Sequence, residues 1–419
     1  MFILKVLMSN LKLAVYEHLN AIAIKFFPEM IPDHPAIVDH WLHAIVRNEA
    51  PFGKRRGVTL NRLLSRLRKS EVIEGVGELS KILSEAPIPH NSSPKFTFID
   101  LFAGIGGMRI GFQEAHGRCI FSSEFEKNAQ ETYLLNHAEK PFGDITKIDP
   151  RDIPAHDVLL AGFPCQPFSH AGLKKGIRDT RGTLFHNIAE ILKTKKPKVA
   201  LLENVKGLIS HDQGYTLQTI LRTLTAIGYQ CNISQDVIEG DSLKTLQAEA
   251  RKMVLKSTDF GIPQNRQRIY IVLWRKGLSK NFSYPEPMGK DVTVGDILEK
   301  SPASKYTISD RLWNGHKRRK IQNKTNGKGF GYGLVSSDSL YTNTISARYY
   351  KDGSEILVSQ KNKNPRKLTP KEASFLQGFP PEFIVNQSDV QAYKQFGNSV
   401  TVPVIASLAK QIRIQLLKV

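Results

Sequence analysis

One cysteine of this sequence stands where it could do chemistry rather than fill a core. In the stretch LLAGFPCQPFSHAG, Cys165 lies between Pro164 and Pro167, directly after an apolar run. Proline fixes the backbone angle φ and has no N–H group, so the thiol would be held in one geometry. A thiolate held in this way is suited to nucleophilic catalysis. The alternative is a small buried hydrophobe, which is how most free cysteines behave.

A glycine cluster predicts a second functional element, a binding site for a nucleoside. The sequence FIDLFAGIGGMRIGF places Gly104 and Gly106 between a predicted strand and a predicted helix, and Glu124 ends the next strand. An acid in that position commonly binds the hydroxyl groups of a ribose. Because Arg109 replaces the third glycine of a dinucleotide fingerprint, the pattern favours an adenosine cofactor without a pyrophosphate. A tight turn without a ligand is the alternative, and Asp144, after a further helix, weighs against it.

Other polar groups also follow or precede apolar strands. Glu203 and Asn204 end the run VALLEN, so the carboxyl group of Glu203 could approach Cys165. In QNRQRIYIV, Arg266 and Arg268 are two residues apart in an extended segment, so both would point to one face. Paired guanidinium groups there suit an anionic or polarised ligand. A helix-capping role for Glu203 and a surface ion-pair site for the arginines are the alternatives.

The composition excludes several classes of protein. The 419 residues are 41% hydrophobic and 23% charged, which is typical of a globular chain with two or three domains. No run reaches the roughly 20 apolar residues of a membrane span, and the start does not resemble a signal peptide, so we expect a cytoplasmic protein. The three cysteines are too few and too scattered for a disulfide framework or a zinc site.

The charge of the chain indicates a polyanionic partner. Lys and Arg number 59 against 39 Asp and Glu, a net charge of +20, and half of this excess lies within residues 301–370. Nucleic acid is the partner that such a concentration of positive charge favours. The alternative is a solvated surface that serves solubility.

Hydrophobic periodicity predicts the elements that must position these groups. Residues 1–90 carry apolar residues at helical spacing and end in the linker APIPHNSSPK. From residue 95, continuous apolar runs alternate with amphipathic helices, which predicts an α/β fold with a parallel sheet covered on both faces. Residues 290–365 show only short strand-like pieces, and helices return after Leu368. The charged stretch 237–261 is interpreted as an inserted loop.

Several blocks together resemble those of the DNA cytosine-5 methyltransferases. DLFAGIGG, AGFPCQPFS, RGTLFHNI, LLENVKGL, QNRQR, RKLTPKEASFLQGFP and AYKQFGNSV occur in that family's order between about residues 95 and 410. The resemblance implies a bacterial enzyme of the restriction-modification or orphan type. It implies a methyltransferase sheet of Rossmann-like type, with a smaller, mainly β target-recognition domain and an N-terminal helical extension. The implied parts of the chain are the helical extension (1–90), the catalytic cofactor-binding domain (95–287) and the target-recognition domain (288–366). The last part, residues 367–419, is implied to return to the catalytic domain.

The resemblance also implies the chemistry. Cys165 would add to carbon 6 of a cytosine that has been flipped out of the duplex, and carbon 5 would then accept a methyl group. Glu203 would contact the base, while Arg266 and Arg268 would hold the base and the catalytic loop. S-adenosyl-L-methionine is the implied cofactor, and no metal is implied. The residues carried over as cofactor ligands are Phe102, Gly104, Gly106, Gly107, Glu124, Phe125, Asp144, Ile145, Pro164, Leu184, Asn398, Ser399 and Val400.

The same resemblance implies a double-stranded DNA substrate. The implied DNA-binding residues are Gln166, Ser169, Arg181, Thr344, Arg348 and Lys351. Arg348 and Lys351 are candidates for contacts to base edges, whereas Lys317–Lys320 are candidates for phosphate contacts. The alternative is that all these charges contact only the DNA backbone. A monomer is expected, with a cognate restriction endonuclease as a functional rather than a physical partner.

The N-terminal segment leaves two questions open. His34, His40 and His43, with Asp33 and Asp39, could hold a metal, but surface histidines are commoner. GVTLNRLLSRLRK could be a DNA-contacting helix that regulates transcription, or a helical cap that also touches the DNA backbone. For the whole chain, a tRNA-methylating relative and a catalytically dead DNA-binding regulator are the competing functions. The long basic segment argues against the first, and the complete set of catalytic blocks argues against the second.

Overall fold

A central α/β sheet forms the larger part of the chain. The computed structural model describes residues 10–83, 86–89, 91, 93–163, 184–278, 281–386 and 388–419. Its main sheet has seven strands: β1 (Phe96–Leu101), β2 (Gly117–Ser123), β3 (Val158–Gly162), β4 (Val199–Val205), β5 (Tyr229–Gln230), β6 (Val254–Lys256) and β7 (Gln267–Arg275). The strand order is β2-β1-β3-β4-β7-β5, with β6 also paired to β7. Strands β1 to β4 are parallel, and β7 is antiparallel to its neighbours.

Both faces of this sheet are buried, as the continuous apolar runs predict. Leu159 and Leu202 belong to one core, while Leu160 and Leu201 belong to another on the opposite face. Successive residues of a strand point to opposite faces, so both must be apolar when both faces are covered. The covering helices are α5 (Gly107–Glu114), α6 (Lys127–His137), α7 (Leu184–Lys195), α8 (Tyr215–Ala226), α9 (Gln235–Glu239) and α10 (Leu243–Arg251). Helices α9 and α10 overlap the stretch 237–261, so the interpretation of that stretch as an inserted loop is wrong. The helices form because Ile238, Leu246 and Ala250 are buried against α8 and its neighbours.

The N-terminal segment shares a core with the sheet. Its described residues form four α-helices: α1 (Asn10–Phe26), α2 (His34–Arg47), α3 (Leu60–Lys69) and α4 (Val76–Ile82). The ring centres of Phe52 and Phe142 are 4.7 Å apart. Both rings belong to a hydrophobic core that also contains Phe121 of β2. Arg56 forms an ion pair of 2.9 Å with Asp152, whose side chain is buried. These contacts join the N-terminal helices to the β2 edge of the sheet.

The three histidines considered above as metal ligands make hydrogen bonds within the fold. His34 hydrogen-bonds the carbonyl of Phe27 at 2.7 Å, and His40 that of Ile120 at 2.9 Å. His43 lies against the carbonyl of Ala138 at 3.2 Å. Among the described residues, no group of three His, Cys, Asp or Glu side chains could hold a metal ion. Each of these histidines therefore has a hydrogen-bond partner on the backbone, and His40 has its partner on β2.

A second, smaller sheet is formed by strands between residues 334 and 366, and this sheet with the helix that precedes it is here called the small lobe. Its three-stranded sheet, in the order β10-β9-β8, is built from β8 (Leu334–Val335), β9 (Leu357–Gln360) and β10 (Lys363–Arg366). The basic helix α11 (Asp310–Thr325) precedes this sheet and was not predicted from the sequence. Ser309 caps its N-terminus by accepting a hydrogen bond from the backbone of Leu312.

The last helices return to the main sheet. They are α12 (Pro370–Phe375), α13 (Asp389–Asn398) and α14 (Val402–Ile412), the last of which continues as a π-helical turn to Leu417. A Cβ atom on Gly111 of α5 would lie 2.7 Å from the backbone N of Ala406, so α5 and α14 touch backbone to backbone. Asp389–Leu417 is long and apolar enough to cross a membrane by length and composition alone. More than half of its apolar window is buried in the protein core, as in a core helix.

Candidate active site

A cleft of about 680 Å³ lies at the carboxyl edge of the parallel strands. The chain leaves β1 towards β2 on one side, while β3 pairs with β1 on the other, so the strand order reverses at this point. Ligands of open α/β sheets bind at such a switch point. The cleft brings together sequence-predicted residues from six separate stretches: Phe102, Gly104, Gly107, Glu124, Phe125, Glu203, Arg266, Arg268, Arg348, Asn398, Ser399 and Val400.

The glycine loop at the end of β1 is closely packed on both sides. Gly106 has a φ of +87°, and a Cβ atom there would collide with the ring of His137. A Cβ atom on Gly107 would lie 2.9 Å from Oγ of Ser399 and from Cγ2 of Val400. Only glycine permits this approach, since any side chain at Gly107 would push the loop away from Ser399 and Val400. The loop therefore brings the ends of β1 and of α13 together.

Glu124, at the carboxyl end of β2, organises the same loop. Its Oε2 accepts a hydrogen bond of 2.8 Å from the backbone N–H of Gly104, and its Oε1 accepts one from Glu126. Burial raises the pKa of this carboxyl group, and these backbone donors oppose the rise. The carboxylate thus supports the loop and also faces the cleft.

A neighbouring cavity of about 250 Å³ collects most of the remaining predicted cofactor ligands. Its walls include Phe102, Glu124, Phe125, Asp144, Ile145 and Leu184. Phe125 is 76% exposed, so its side chain is open to a ligand in this cavity. The carboxyl group of Asp144 accepts hydrogen bonds from the N–H and the hydroxyl of Thr146, so it caps a turn of the wall. An apolar slot beside a carboxylate fits a planar base joined to a ribose.

The predicted nucleophile and its neighbours lie outside the described residues. Pro164, Cys165, Gln166, Ser169 and Arg181 all belong to the stretch 164–183.

The structure does describe the anchor of that stretch. In the β3–β4 register, Gly162 is paired with Glu203. The side chain of Asn204 donates a hydrogen bond of 3.0 Å to the carbonyl of Phe163. Strand β3 therefore ends beside Glu203.

Glu203 and Arg268 form an ion pair inside the cleft. Strands β4 and β7 are antiparallel neighbours, in which Glu203 pairs with Tyr270 and Val205 pairs with Arg268. The side chains of Glu203 and Arg268 therefore lie at the same edge of the sheet. Nε of Arg268 lies 3.3 Å from Oε1 of Glu203, and both side chains are largely buried. Burial raises the pKa of Glu203, while the positive charges of Arg268 and Arg266 lower it. The net rise favours a carboxyl group that can carry a proton closer to neutral pH.

Arg266 has a different set of partners from Arg268. Its guanidinium donates to the carbonyl of Ser399 at 2.6 Å and to those of Ile345 and Gly397 at 3.4 Å. Burial lowers the pKa of Arg266 to about 10, and the nearby charge of Arg268 adds to this effect. The sequence predicts that both arginines face one ligand. It does not show that the guanidinium of Arg266 also binds these three carbonyls, which come from distant parts of the chain.

The predicted DNA-binding residues that the structure describes occupy different positions. Arg348 is exposed and lines the cleft, and Lys351 is exposed outside it. The hydroxyl of Thr344 donates to the carbonyl of Asn265 at 2.8 Å.

Asp100 is a cleft residue that the sequence analysis missed. It is 1% exposed, and burial raises its pKa to about 7, with the negative charge of Glu124 contributing. Its Oδ2 has no hydrogen-bond partner among the described residues. A charged residue inside the apolar run FIDLF was the available signal, because an acid in a strand buried on both faces is seldom structural filler.

Comparisons with known proteins identify the family of this chain. The family model of the C-5 cytosine-specific DNA methylases matches residues 96–413. The Type II methyltransferase M.SsoII of Shigella sonnei is 52% identical over 359 residues, which cover 84% of this chain and 90% of the relative. The Type II methyltransferase M.NlaX of Neisseria lactamica is 57% identical over 321 residues, covering 76% and 96%.

A solved structure shows the same fold. The Dnmt2 methyltransferase of S. pombe superposes with a TM-score of 0.58 at 20% identity, covering 76% of this chain and 99% of that one. Together with the family match, these relatives identify the class of enzyme. The chain belongs to the C-5 cytosine-specific DNA methylase family and is a bacterial DNA (cytosine-5-)-methyltransferase that uses S-adenosyl-L-methionine.

Proposed function

We propose that this enzyme methylates carbon 5 of a cytosine within a short specific site of double-stranded DNA, through a covalent adduct between Cys165 and carbon 6 of the flipped base. The observation that supports the proposal is the β3–β4 register, which pairs Gly162, three residues before Cys165 in the sequence, with Glu203 of the Glu203–Arg268 ion pair. A nucleophile and a proton-carrying carboxyl group at one strand edge suit attack on a heteroaromatic ring.

The residues of the cleft have separate roles in the proposed reaction. The thiolate of Cys165 forms a bond to carbon 6, and the carboxyl group of Glu203 donates a proton or hydrogen bond to N3 of the base. Carbon 5 thereby gains electron density and can accept a methyl group. The N3 proton then returns to Glu203, and loss of the carbon-5 proton to solvent expels the thiolate and restores the ring. Arg268 holds Glu203 in place by the 3.3 Å ion pair.

The two cavities fit S-adenosyl-L-methionine. When bound, it supplies an electrophilic methyl group on a sulfonium sulfur. The carboxylate of Glu124 would bind the ribose hydroxyls, and the slot of Phe102, Phe125 and Ile145 would hold the adenine. Gly104, Gly106 and Gly107 would leave room for the methionine portion, which Asn398, Ser399 and Val400 would cover from the far side. Pro164, Asp144 and Leu184 complete the proposed set.

The small lobe is proposed as the target-recognition domain. Helix α11 exposes basic side chains beside aromatic rings: Nζ of Lys317 lies 5.5 Å from the ring centre of Trp313, and Nζ of Lys320 lies 4.3 Å from that of Tyr332. These cations would contact phosphates, while Arg348 at the mouth of the cleft and Lys351 would reach base edges. Gln166, Ser169 and Arg181 would contact DNA from the catalytic loop.

The chain is proposed to consist of four parts and to act alone on DNA. The domain boundaries are those of residues 1–90, 95–287, 288–366 and 367–419. The enzyme would act as a monomer on DNA in the cytoplasm, at the nucleoid. It would protect the DNA from a cognate restriction endonuclease or mark it epigenetically.

Bisulfite sequencing of DNA from a methylation-free host that expresses this chain tests the proposal. Protected cytosines within one short repeated motif are the expected result, and no protection by the Cys165→Ser variant is the expected control. Cys231→Ser is the matched exchange, since Cys231 is buried and burial raises its pKa to about 11. It should leave methylation intact. Soluble protein without any protected cytosine would refute the proposal and favour an RNA substrate or a regulator.

A further inference from the structure

A buried set of hydrogen bonds joins the small lobe to the end of the cofactor cleft. The stretch 342–347, here called the recognition segment, runs beside the residues that lead into β7. The N–H of Asn265 donates to the carbonyl of Thr342 at 2.8 Å, and the N–H of Thr342 donates to that of Pro263 at 2.9 Å. The hydroxyl of Thr344 adds its bond to the carbonyl of Asn265. The recognition segment is thus attached to the residues directly before Arg266 and before strand β7, which carries Arg268.

Gln264 lies at the centre of this attachment. It is 0% exposed, and its Oε1 accepts a hydrogen bond of 3.0 Å from the N–H of Ile345. Its Nε2 donates to the carbonyl of Leu376 at 2.8 Å and to Oε1 of Gln377 at 3.3 Å. One amide therefore binds the recognition segment with its oxygen and the α12 region with its nitrogen.

Gln377 continues the connection to the cofactor cleft. Its Nε2 donates to the carbonyl of Phe396 at 2.7 Å, and its Oε1 accepts a hydrogen bond of 3.2 Å from Thr401. These two residues flank the stretch 397–400, here called the C-terminal segment, which lines the cofactor side of the cleft. A shift of the recognition segment that moves Gln264 must therefore break or move bonds on both sides of the C-terminal segment.

Direct packing supports the same connection. A Cβ atom on Gly397 would collide with the backbone of Ser346 and Ala347, so the two segments touch without an intervening side chain. The guanidinium of Arg266 bonds carbonyls of both segments, Ile345 on one side and Ser399 on the other. Interiors packed this closely transmit a displacement instead of absorbing it.

We propose that Gln264 is a positioning residue that couples recognition of the DNA site to cofactor binding, by holding the recognition segment and the C-terminal segment in one arrangement. This inference rests on the proposed function, because it requires that DNA contacts the recognition segment. DNA that orders this segment would then order the cover of the cofactor cleft, and the cofactor would do the reverse, because coupling between two sites is reciprocal.

The test measures how DNA changes the affinity for S-adenosyl-L-homocysteine, the product of methyl transfer. Its Kd is determined by titration calorimetry with and without a duplex that carries the motif mapped by bisulfite sequencing. We expect the duplex to lower the Kd of the wild-type enzyme by a factor of about 5 to 150, the usual range of such couplings. In Gln264→Met, which keeps the volume but removes the amide, this factor should fall towards one.

Gln218→Met is the matched control. Gln218 is a buried glutamine of α8 whose Nε2 donates to the carbonyls of Ile238 and Gly240, away from the cleft. It should lower the melting temperature in the same way as Gln264→Met but keep the wild-type coupling factor. An equal loss of coupling in both variants would show a general effect of stability and would overturn the proposal. So would an unchanged factor in Gln264→Met.

A milder variant keeps the test decisive if Gln264→Met does not fold. Thr344→Val removes the hydroxyl bond to Asn265. With the duplex at saturating concentration, so that a weaker DNA contact does not count, it should lower the coupling factor by a smaller amount, with little change in melting temperature. An unchanged factor would then count against the proposal. A wild-type enzyme that methylates DNA but shows no coupling would refute this inference alone. An enzyme that methylates no cytosine would refute the proposed function as well.

Discussion

Asp100 should make the enzyme without its cofactor less stable as the pH rises. Burial raises the pKa of its carboxyl group from 3.8 to about 7, and the negative charge of Glu124 acts in the same direction. Between these two pH values the unfolded chain has lost the proton, while the folded chain keeps it. Folding therefore takes up a proton, and the free energy of unfolding falls as the pH increases.

The size of the effect follows from the rise in pKa. One pKa unit corresponds to about 1.4 kcal/mol, so the stabilisation present below pH 4 should shrink by about 4 kcal/mol by pH 7 and then stay constant. Asp100→Asn removes the titrating group and keeps the side-chain shape. The variant should gain stability relative to the wild type across this interval and exceed it at pH 8.

Urea denaturation of both proteins at several pH values from 4.5 to 8.5, without cofactor, measures this difference. Taking the difference between the proteins cancels the other titrating groups. Asp157→Asn is the control, because hydrogen bonds from Thr97 and the charge of Lys198 lower the pKa of Asp157. That carboxyl group is ionised in both states above pH 4.5, so its difference should not change with pH. A pH-independent difference for Asp100→Asn as well would refute the reasoning.

Three further predictions concern the site. Glu203→Gln should lower kcat by about 10²- to 10⁴-fold, since proton transfer contributes that much, while gel-shift assays show DNA binding retained; a kcat near that of the wild type would remove Glu203 from the chemistry. Gly106→Ala places a side chain at a φ of +87° and against His137, so calorimetry should show lost binding of S-adenosyl-L-homocysteine and a lower melting temperature; normal binding would contradict the packing of the loop. DNA affinity should fall roughly 10³-fold or more between 50 and 200 mM salt if about six phosphates are contacted. An affinity that does not change with salt concentration in a filter-binding assay would exclude the small lobe as the DNA surface.

Some features of the protein could be predicted from local sequence alone. The strands β1, β2, β3, β4 and β7 and most of the helices that cover them follow from apolar periodicity, because a strand buried on both faces must be apolar at every position. The carboxyl ends of parallel strands meet at one edge, so Glu124 and Glu203 could be assigned to the same site. The order of the sequence blocks then identified the family.

Other features depend on contacts between residues that are far apart in the chain. Nothing near Arg266 in the sequence shows that its guanidinium bonds carbonyls of residues 345, 397 and 399, and nothing near Asp100 shows how far burial raises its pKa. The interpretation of residues 237–261 as a loop failed because burial of a few apolar side chains outweighed the polar composition. Local periodicity determines which segments become helices and strands, whereas burial, charge and hydrogen-bond partners are set only when distant segments pack together.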